Sequence, residues 1–283
     1  MPEGSNIISK KDIHLFGEKQ RILLRANEFI CLRPHYNLRE YISNYNITFP
    51  TKTLMPDSFT VMPCGCPSFA VSVDSRNLSV SLEGPATKPY IVGSEVNQLK
   101  MLVTIEFKPA GLYALTGINQ SELIDKTISF DTVNSTLSKL MSEAVEKAAS
   151  IYELLTNLDS LLLANMDTAC HPQLRQALHN IIDCKGSETI KNLSDDIHYS
   201  ERQLNRIFRQ CVGLSTKSFS RLVRINNAFR LLKKPHNSLT LVSDLTGFHD
   251  LPHFIRDFKL VCGITPQEYR NNMSDFYNNF TKF

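Results

Sequence analysis

Of the eight histidines in this 283-residue chain, none lies between residues 36 and 170. A metal site in that stretch would need two or three His and a carboxylate converging from neighbouring strands. Metal catalysis there is therefore not expected, and neither a metal ligand set nor any other cofactor is assigned. Long apolar runs are missing too. The longest, Leu158 to Met166, is interrupted by Asp159, Ser160 and Asn165, far short of the ~20 residues a membrane helix requires. The opening MPEGSNIISKKDIHLFGEKQR has no apolar core of the secretory kind. The expectation is a cytoplasmic protein without membrane association. G-x-S-x-G, P-loop and dinucleotide fingerprints are absent as well, so no catalytic residue is nominated and an enzyme is not expected.

What is there begins with seven cysteines, at 31, 64, 66, 170, 184, 211 and 262. An odd count at irregular spacing suggests reduced thiols and not a disulfide framework. Only Cys64 and Cys66, in PCGCP, stand close together, and no nearby His or further Cys completes a four-ligand set. A structural turn is the simpler reading, and a thiol-responsive pair is the alternative. Length and a 42% hydrophobic content allow two ordinary cores. Charge is unevenly spread. From Cys170 to Met273 there are 15 Lys and Arg against 9 Asp and Glu, net +6, so the remainder nets −3 within the total of +3. Six of the eight histidines also lie in that C-terminal third. A basic domain joined to a mildly acidic one suits a polyanionic partner, although many solvated surfaces carry as much charge.

Residues 41–107 are β-rich. YISNYNITF, FAVSVD, LSVSL, YIVG and KMLVTIEF alternate or are β-branched, and Pro and Gly punctuate them densely. Short strands at this turn density predict an antiparallel barrel or sandwich. From Asp131 to Met166 the period changes. Leu137, Leu140, Ala144, Ala148, Ile151, Leu155, Leu158 and Leu162 step by three or four, an apolar stripe on one or two helices. A dimer seam and packing on the protein's own β domain are equally open readings. Beyond His171-Pro172 the pattern is helical to about residue 272. The resulting division is a β-rich regulatory domain (1–130), a helical dimerisation or linker region (131–169), an all-α domain (170–273) and a loose tail (274–283). The fold class is α+β.

Two segments of the helical region echo each other: IKNLSDDIHYSERQLNRIFRQCVGLSTKSF from Ile190 and LTLVSDLTGFHDLPHFIRDFKLVCGITPQEY from Leu239. The offset is 49 at Ile190/Leu239 and Leu193/Val242. It becomes 50 at Leu204/Phe254, Arg206/Arg256, Phe208/Phe258 and Gly213/Gly263, so the extra residue falls in the turn. Each copy spells helix, turn, helix. In the first, Ser200 and Gln203 form an S-x-x-Q capping box. Leu204, Ile207 and Phe208 face inward, leaving Arg202, Gln203, Asn205, Arg206 and Arg209 on the outward arc. In the second, Asp250 caps the helix, with His249, His253, Arg256 and Lys259 outward. Arg and Gln near a helix N-terminus are the side chains that read guanine and adenine edges in a major groove, so these ten residues, counting Ser200, are the candidate DNA contacts. Leu251 and Pro252 cannot hydrogen-bond base edges, and the second helix is expected to grip mainly phosphates. The segment from Ser215, STKSFSRLVRINNAFRLLKK, is long enough to be a spacer helix between the units.

The two units and their joining helix resemble the DNA-binding domain of the AraC/XylS family of bacterial regulators. Its second-unit pattern, GF-x-D-x-x-x-F-x-R-x-FK-x-x-x-G-x-TP-x-x-YR, is matched at Gly247, Phe248, Asp250, Phe254, Arg256, Phe258, Lys259, Gly263, Thr265, Pro266, Tyr269 and Arg270. Ser194 and Ser243, in the leading helices of the two units, stand where the family usually carries Ala. RPHYNLREYISNYNITF, MPDSFTVMPCGCPSFAVSV and VTIEFKPAGLYALTGINQSELID are similar, less strongly, to the cupin-like sensor domain of some members. The resemblance implies a transcription regulator, an activator in many such families. Its implied partners are double-stranded promoter DNA, a small-molecule effector or a homodimer through the N-terminal domain, and RNA polymerase where it activates. A cupin-type enzyme fused to a DNA-binding domain is the least favoured alternative.

Overall fold

A computed structural model describes residues 8–75, 77–166 and 172–272. The expected tail, Cys170 and the junction at 169/170 lie outside them. The N-terminal half contains α1 (Lys10–Leu15), β1 (Ile22–Arg25), β2 (Phe29–Leu32), β3 (Ile42–Thr48), β4 (Thr60–Val61), β5 (Ser68–Val73), β6 (Leu78–Glu83), β7 (Tyr90–Ile91), β8 (Met101–Phe107), α2 (Gly111–Thr116) and β9 (Thr127–Ser129). The helices α3 (Ser135–Glu146) and α4 (Ile151–Asn165) follow. Seven strands form one antiparallel sheet in the order β1-β2-β3-β8-β5-β6-β9, and β4 pairs with β7 in a separate ribbon. Met101, Val103, Ile105 and Phe107 of β8 are buried while the residues between them are half-exposed. That is the period-two pattern of a strand with one face on the core.

The stripe along residues 137–162 belongs to this chain's own core. Leu137, Ala148, Ile151, Leu155, Leu158 and Leu162 are buried in the same cluster as Tyr45, Phe69, Ile105 and Phe107 of the sheet, with Ala144 packed against it. Leu140 alone among the stripe residues is exposed, at 43%. A face already covered by the sheet is unavailable as a dimer seam.

Asp159, which interrupts the apolar run of α4, ties that helix to the sheet. Its Oδ2 lies 2.7 Å from Arg21 Nη2, while Oδ1 accepts from Tyr45 Oη at 2.9 Å and from the His35 amide at 3.0 Å. A buried carboxylate with this many partners is fully satisfied. Burial, reinforced by the Asp159 charge, pushes the Tyr45 phenol well above its ordinary range, so it stays protonated and keeps donating.

The C-terminal half is helical: α5 (Pro172–Asp183), α6 (Ile190–Asp196), α7 (Glu201–Val212), α8 (Thr216–Leu232), α9 (Leu239–Leu245), α10 (Leu251–Cys262) and α11 (Pro266–Asn271). The pairs α6–α7 and α9–α10 are the two copies of the repeat. Their starts confirm the offset, 49 for α6/α9 and 50 for α7/α10. The extra residue therefore lies between the paired helices, where it disturbs neither. At the position equivalent to Gly247 (φ 74°) the first copy places His198 at φ 57°, a left-handed conformation that a Cβ disfavours.

This helical domain docks on the β domain. Gln210 Nε2 at the end of α7 donates to Tyr113 Oη of α2 at 2.9 Å, and Arg175 Nε of α5 pairs with Glu40 Oε1 at 2.8 Å. Gly65 (φ 65°) sits so tightly that a Cβ there would lie 2.7 Å from Leu222 Cδ1 and 2.9 Å from Leu214 Cδ1. At Gly213 (φ 89°), the C-cap of α7, a Cβ would lie 3.0 Å from the Gln120 carbonyl oxygen and 3.1 Å from Pro85 Cγ. These glycines allow both the turn geometry and the close approach.

Two outcomes follow. Asp159→Ala should destabilise the protein by about 3 kcal/mol, the low end for breaking a buried pair, because the buried Tyr45 hydroxyl loses its acceptor while Arg21, 15% exposed and still bonded to the Arg33 carbonyl, loses its counter-ion; urea unfolding measures it. Ser243→Ala should be neutral or stabilising by up to about 1 kcal/mol. The Ser243 hydroxyl is fully buried without a hydrogen-bond partner among the described residues, whereas Ser194 Oγ donates to the Ile190 carbonyl at 2.6 Å. Thermal melting of Ser243→Ala beside Ser194→Ala reads the contrast.

Candidate nucleic-acid interface

The first outward helix, α7, is fixed at its N-terminus by the expected capping box. Ser200 Oγ accepts from the Gln203 amide at 3.3 Å, and Gln203 Oε1 accepts from the Ser200 amide at 3.0 Å and from Ser200 Oγ at 2.8 Å. At its other end Gly213 adopts the left-handed C-cap. Leu204, Ile207, Phe208, Cys211 and Val212 are buried, which turns Arg202, Arg206 and Arg209 into solvent. None of these three arginines makes an ion pair among the described residues. Unneutralised guanidiniums on one arc are an anion-binding surface.

The structure gives two of the candidate side chains additional work. Gln203 Oε1 is occupied by the cap, so its Nε2 amino group alone is available outward, able to donate but not to form the donor–acceptor fork that reads adenine. Asn205 is half-buried; its Oδ1 accepts from the Thr216 amide at 3.1 Å and its Nδ2 donates to the Glu201 carbonyl at 3.0 Å. It joins α7 to the start of α8.

In the second unit Asp250 Oδ1 accepts from the His253 amide at 2.7 Å. That bond holds the Asp250 carboxyl below the usual carboxylate range, with His249 adding to the effect. With its pKa depressed in the folded state, the cap is intact at neutral pH and is lost only as pH falls through the lowered value. His249, Arg256 and Lys259 are exposed. His253 is only half-exposed. Its ring stands edge-on to Phe248 with centroids 5.4 Å apart, and its Nε2 lies 3.5 Å from Asp257 Oδ2. The second arc therefore presents fewer outward cations than the first, as the leading Leu251 and Pro252 suggest.

What the sequence did not disclose is how α10 is anchored. Arg221 Nε of α8 donates to Asp257 Oδ2 at 3.0 Å, with the carboxylate buried. One turn along, the Arg224 guanidinium lies 4.9 Å from the Phe248 ring centroid, where burial lowers its pKa. A charged pair separated by 36 residues leaves no periodic signal. The one sequence hint was an acid, Asp257, between Arg256 and Phe258 on an otherwise basic helix.

Residues 193–272 match the family described as helix-turn-helix domain, and residues 31–129 match a domain of unknown function, DUF6597. The chain is 32% identical over 90 residues to the uncharacterized HTH-type transcriptional regulator YisR of Bacillus subtilis, covering 32% of this chain and 31% of that protein. It is 29% identical over 130 residues to the arabinose operon regulatory protein of Escherichia coli, covering 43% of this chain and 44% of that one. The chain thus spans less than half the length of either relative. Among solved structures, ToxT of Vibrio cholerae aligns with 78% of this chain and 96% of its own at 11% identity and a TM-score of 0.43. Residues 193–272 are thus a helix-turn-helix domain of the AraC type, similar to the corresponding segments of these regulators.

Proposed function

We propose that the protein is a sequence-specific regulator of transcription that engages double-stranded DNA with α7 and α10, which enter successive major-groove segments. The observation that carries this reading is the duplicated helix-turn-helix, with Arg202, Arg206 and Arg209 exposed on the first outward arc and Arg256 and Lys259 on the second. The long α8 between the copies supports a spacing of about one helical turn, ~34 Å. Arg202 and Arg206 act as base readers and Gln203 as a donor-only contact through Nε2. Arg209, His249, Arg256 and Lys259 bind phosphates; Ser200, Asn205 and His253 position the helices. The N-terminal domain is a regulatory module taking a small-molecule effector or a second copy of the chain, and RNA polymerase becomes a partner where the bound site activates. This role is binding and not catalysis.

Sequencing the genomic DNA that the protein retrieves tests the reading. A recurrent motif, with affinity falling linearly on a logarithmic salt scale, is the expected result; a random set with salt-independent binding overturns it. On the recovered site, Arg206→Ala should cost about 1–3 kcal/mol and relax base preference at one position. An equal loss on every sequence would place Arg206 on phosphate only. Gln203→Glu keeps the carbonyl-type acceptor of the capping box but puts a negative charge against the DNA. It should melt with the parent and bind more weakly, whereas a fall in both would show that the cap geometry, and not the charge, was changed.

A further inference from the structure

The turn Met62-Pro63-Cys64-Gly65-Cys66-Pro67 meets the helical domain through Gly65, and DNA reading makes no use of its sulfur atoms. Met62, Cys64 and Cys66 stand at alternate positions, and all three line one cavity of about 170 Å³ at the edge of the β domain. Cys66 is only 4% exposed, and Met62 and Cys64 are half-buried. Cys64 Sγ lies 3.7 Å from the Cys66 carbonyl oxygen, so its side chain curls over the turn toward residue 66. Both cysteines stand as thiols.

We infer that Met62, Cys64 and Cys66 form a binding site for a soft monovalent metal ion of the Cu(I) type, whose occupancy is transmitted to both helix-turn-helix units.

Ligand chemistry selects the ion. Among the described residues no group of three or more His, Cys, Asp and Glu is arranged to hold a metal, so the four-ligand set of a structural zinc site is not supplied. Two thiolates and a thioether are instead the soft donors that favour Cu(I), an ion content with two or three sulfur ligands. Binding involves no redox change. Each thiol loses its proton to solvent as its metal–sulfur bond forms, and one Cu(I) with two thiolates carries a net charge of −1. Lys88 and Lys126 line the same cavity together with Glu83 and Asp125, so the lining charges cancel and the metal complex keeps its net charge of −1. The remaining described cysteines differ in setting. Cys31 and Cys262 are buried thiols whose pKa burial pushes far up, Cys211 is buried in the helical core, and Cys184 is exposed.

The route to the DNA-binding units is short. Met62 also packs against the hydrophobic core of the helical domain, so drawing its sulfur toward a metal alters that contact. The Gly65 amide donates to the Ala86 carbonyl at 3.0 Å, coupling the turn to the strap Gly84–Pro89. That strap reaches the same structural position in both copies of the repeat. Pro85 Cγ approaches the C-cap Gly213 of α7, and Pro89 Cγ lies 4.0 Å from where a Cβ would stand at Gly263, the C-cap of α10. A metal that tightens the turn therefore acts on the ends of both recognition helices. This transmission rests on the DNA-binding reading; the metal site does not.

The test titrates Cu(I) into the reduced full-length protein in competition with a chromophoric Cu(I) chelator, for the parent, Cys64→Ser/Cys66→Ser and Met62→Leu. Met62→Leu conserves core volume and guards against a folding defect in the double variant. The parent should take one more Cu(I) than the double variant, and Met62→Leu should hold it roughly tenfold more weakly, the low end of losses seen on disturbing a metal's surroundings. Equal uptake by parent and double variant, or no competition by the parent, overturns the site. Cu(I) should then change affinity for the recovered DNA in the parent and not in the double variant. Metal uptake with unchanged DNA affinity overturns the transmission alone, and absence of DNA binding in every state counts against the proposed function while leaving the metal result standing.

Discussion

The two helix-turn-helix units share α8. Phe219, Leu222, Val223, Ile225, Ala228, Phe229 and Leu232 of this helix are buried, as are its polar residues Thr216, Ser220 and Asn226, so little of its circumference is left to solvent. Toward the first unit, Asn205 caps its start and Phe208 meets Phe219 with ring centroids 5.9 Å apart. Toward the second, Phe229 stacks edge-on against Phe258 at 5.6 Å and Arg221 holds Asp257. Interiors packed to this degree resist continuous deformation. The separation of the two outward arcs is thereby a property of one buried helix and not of flexible linkers, which is the condition for reading two groove segments in a fixed register.

Much of this was legible in the sequence because it is periodic or local. The repeat placed both copies, put the extra residue in the turn, and identified Ser200, Gln203 and Asp250 as caps; each of these is short-range chemistry. The strands of the hairpin β5–β6 and of β8 were visible for the same reason. The early strands β1 and β2 were not. All four residues of β2 are buried and all four of β1 are half-exposed, so neither shows the alternation that marks a one-sided strand. The stripe in α3 and α4 was ambiguous because an apolar face has the same period whether it meets a sheet or a second chain.

The remaining features are long-range, and a linear pattern cannot register them. Asp159 looked like an interruption and is the anchor of α4, with partners 114 to 138 residues away. Gln203 was assigned to a cap and to a base reader separately, and only the observed hydrogen bonds show that the two uses compete for one oxygen. The contact of Gly65 with Leu214 and Leu222 joins segments about 150 residues apart. It places the PCGCP turn between a cavity and the DNA-binding domain, and no property of the motif itself announces that position.

The central claim is that α7 and α10 act together, held by α8, on one face of a DNA duplex. Hydroxyl-radical footprinting on the recovered site measures this most directly. The account predicts two protected segments whose centres lie about one helical turn apart, ~10 base pairs, with the stronger protection under the unit carrying Arg202 and Arg206. A single protected segment, or two whose spacing drifts from site to site, would contradict it.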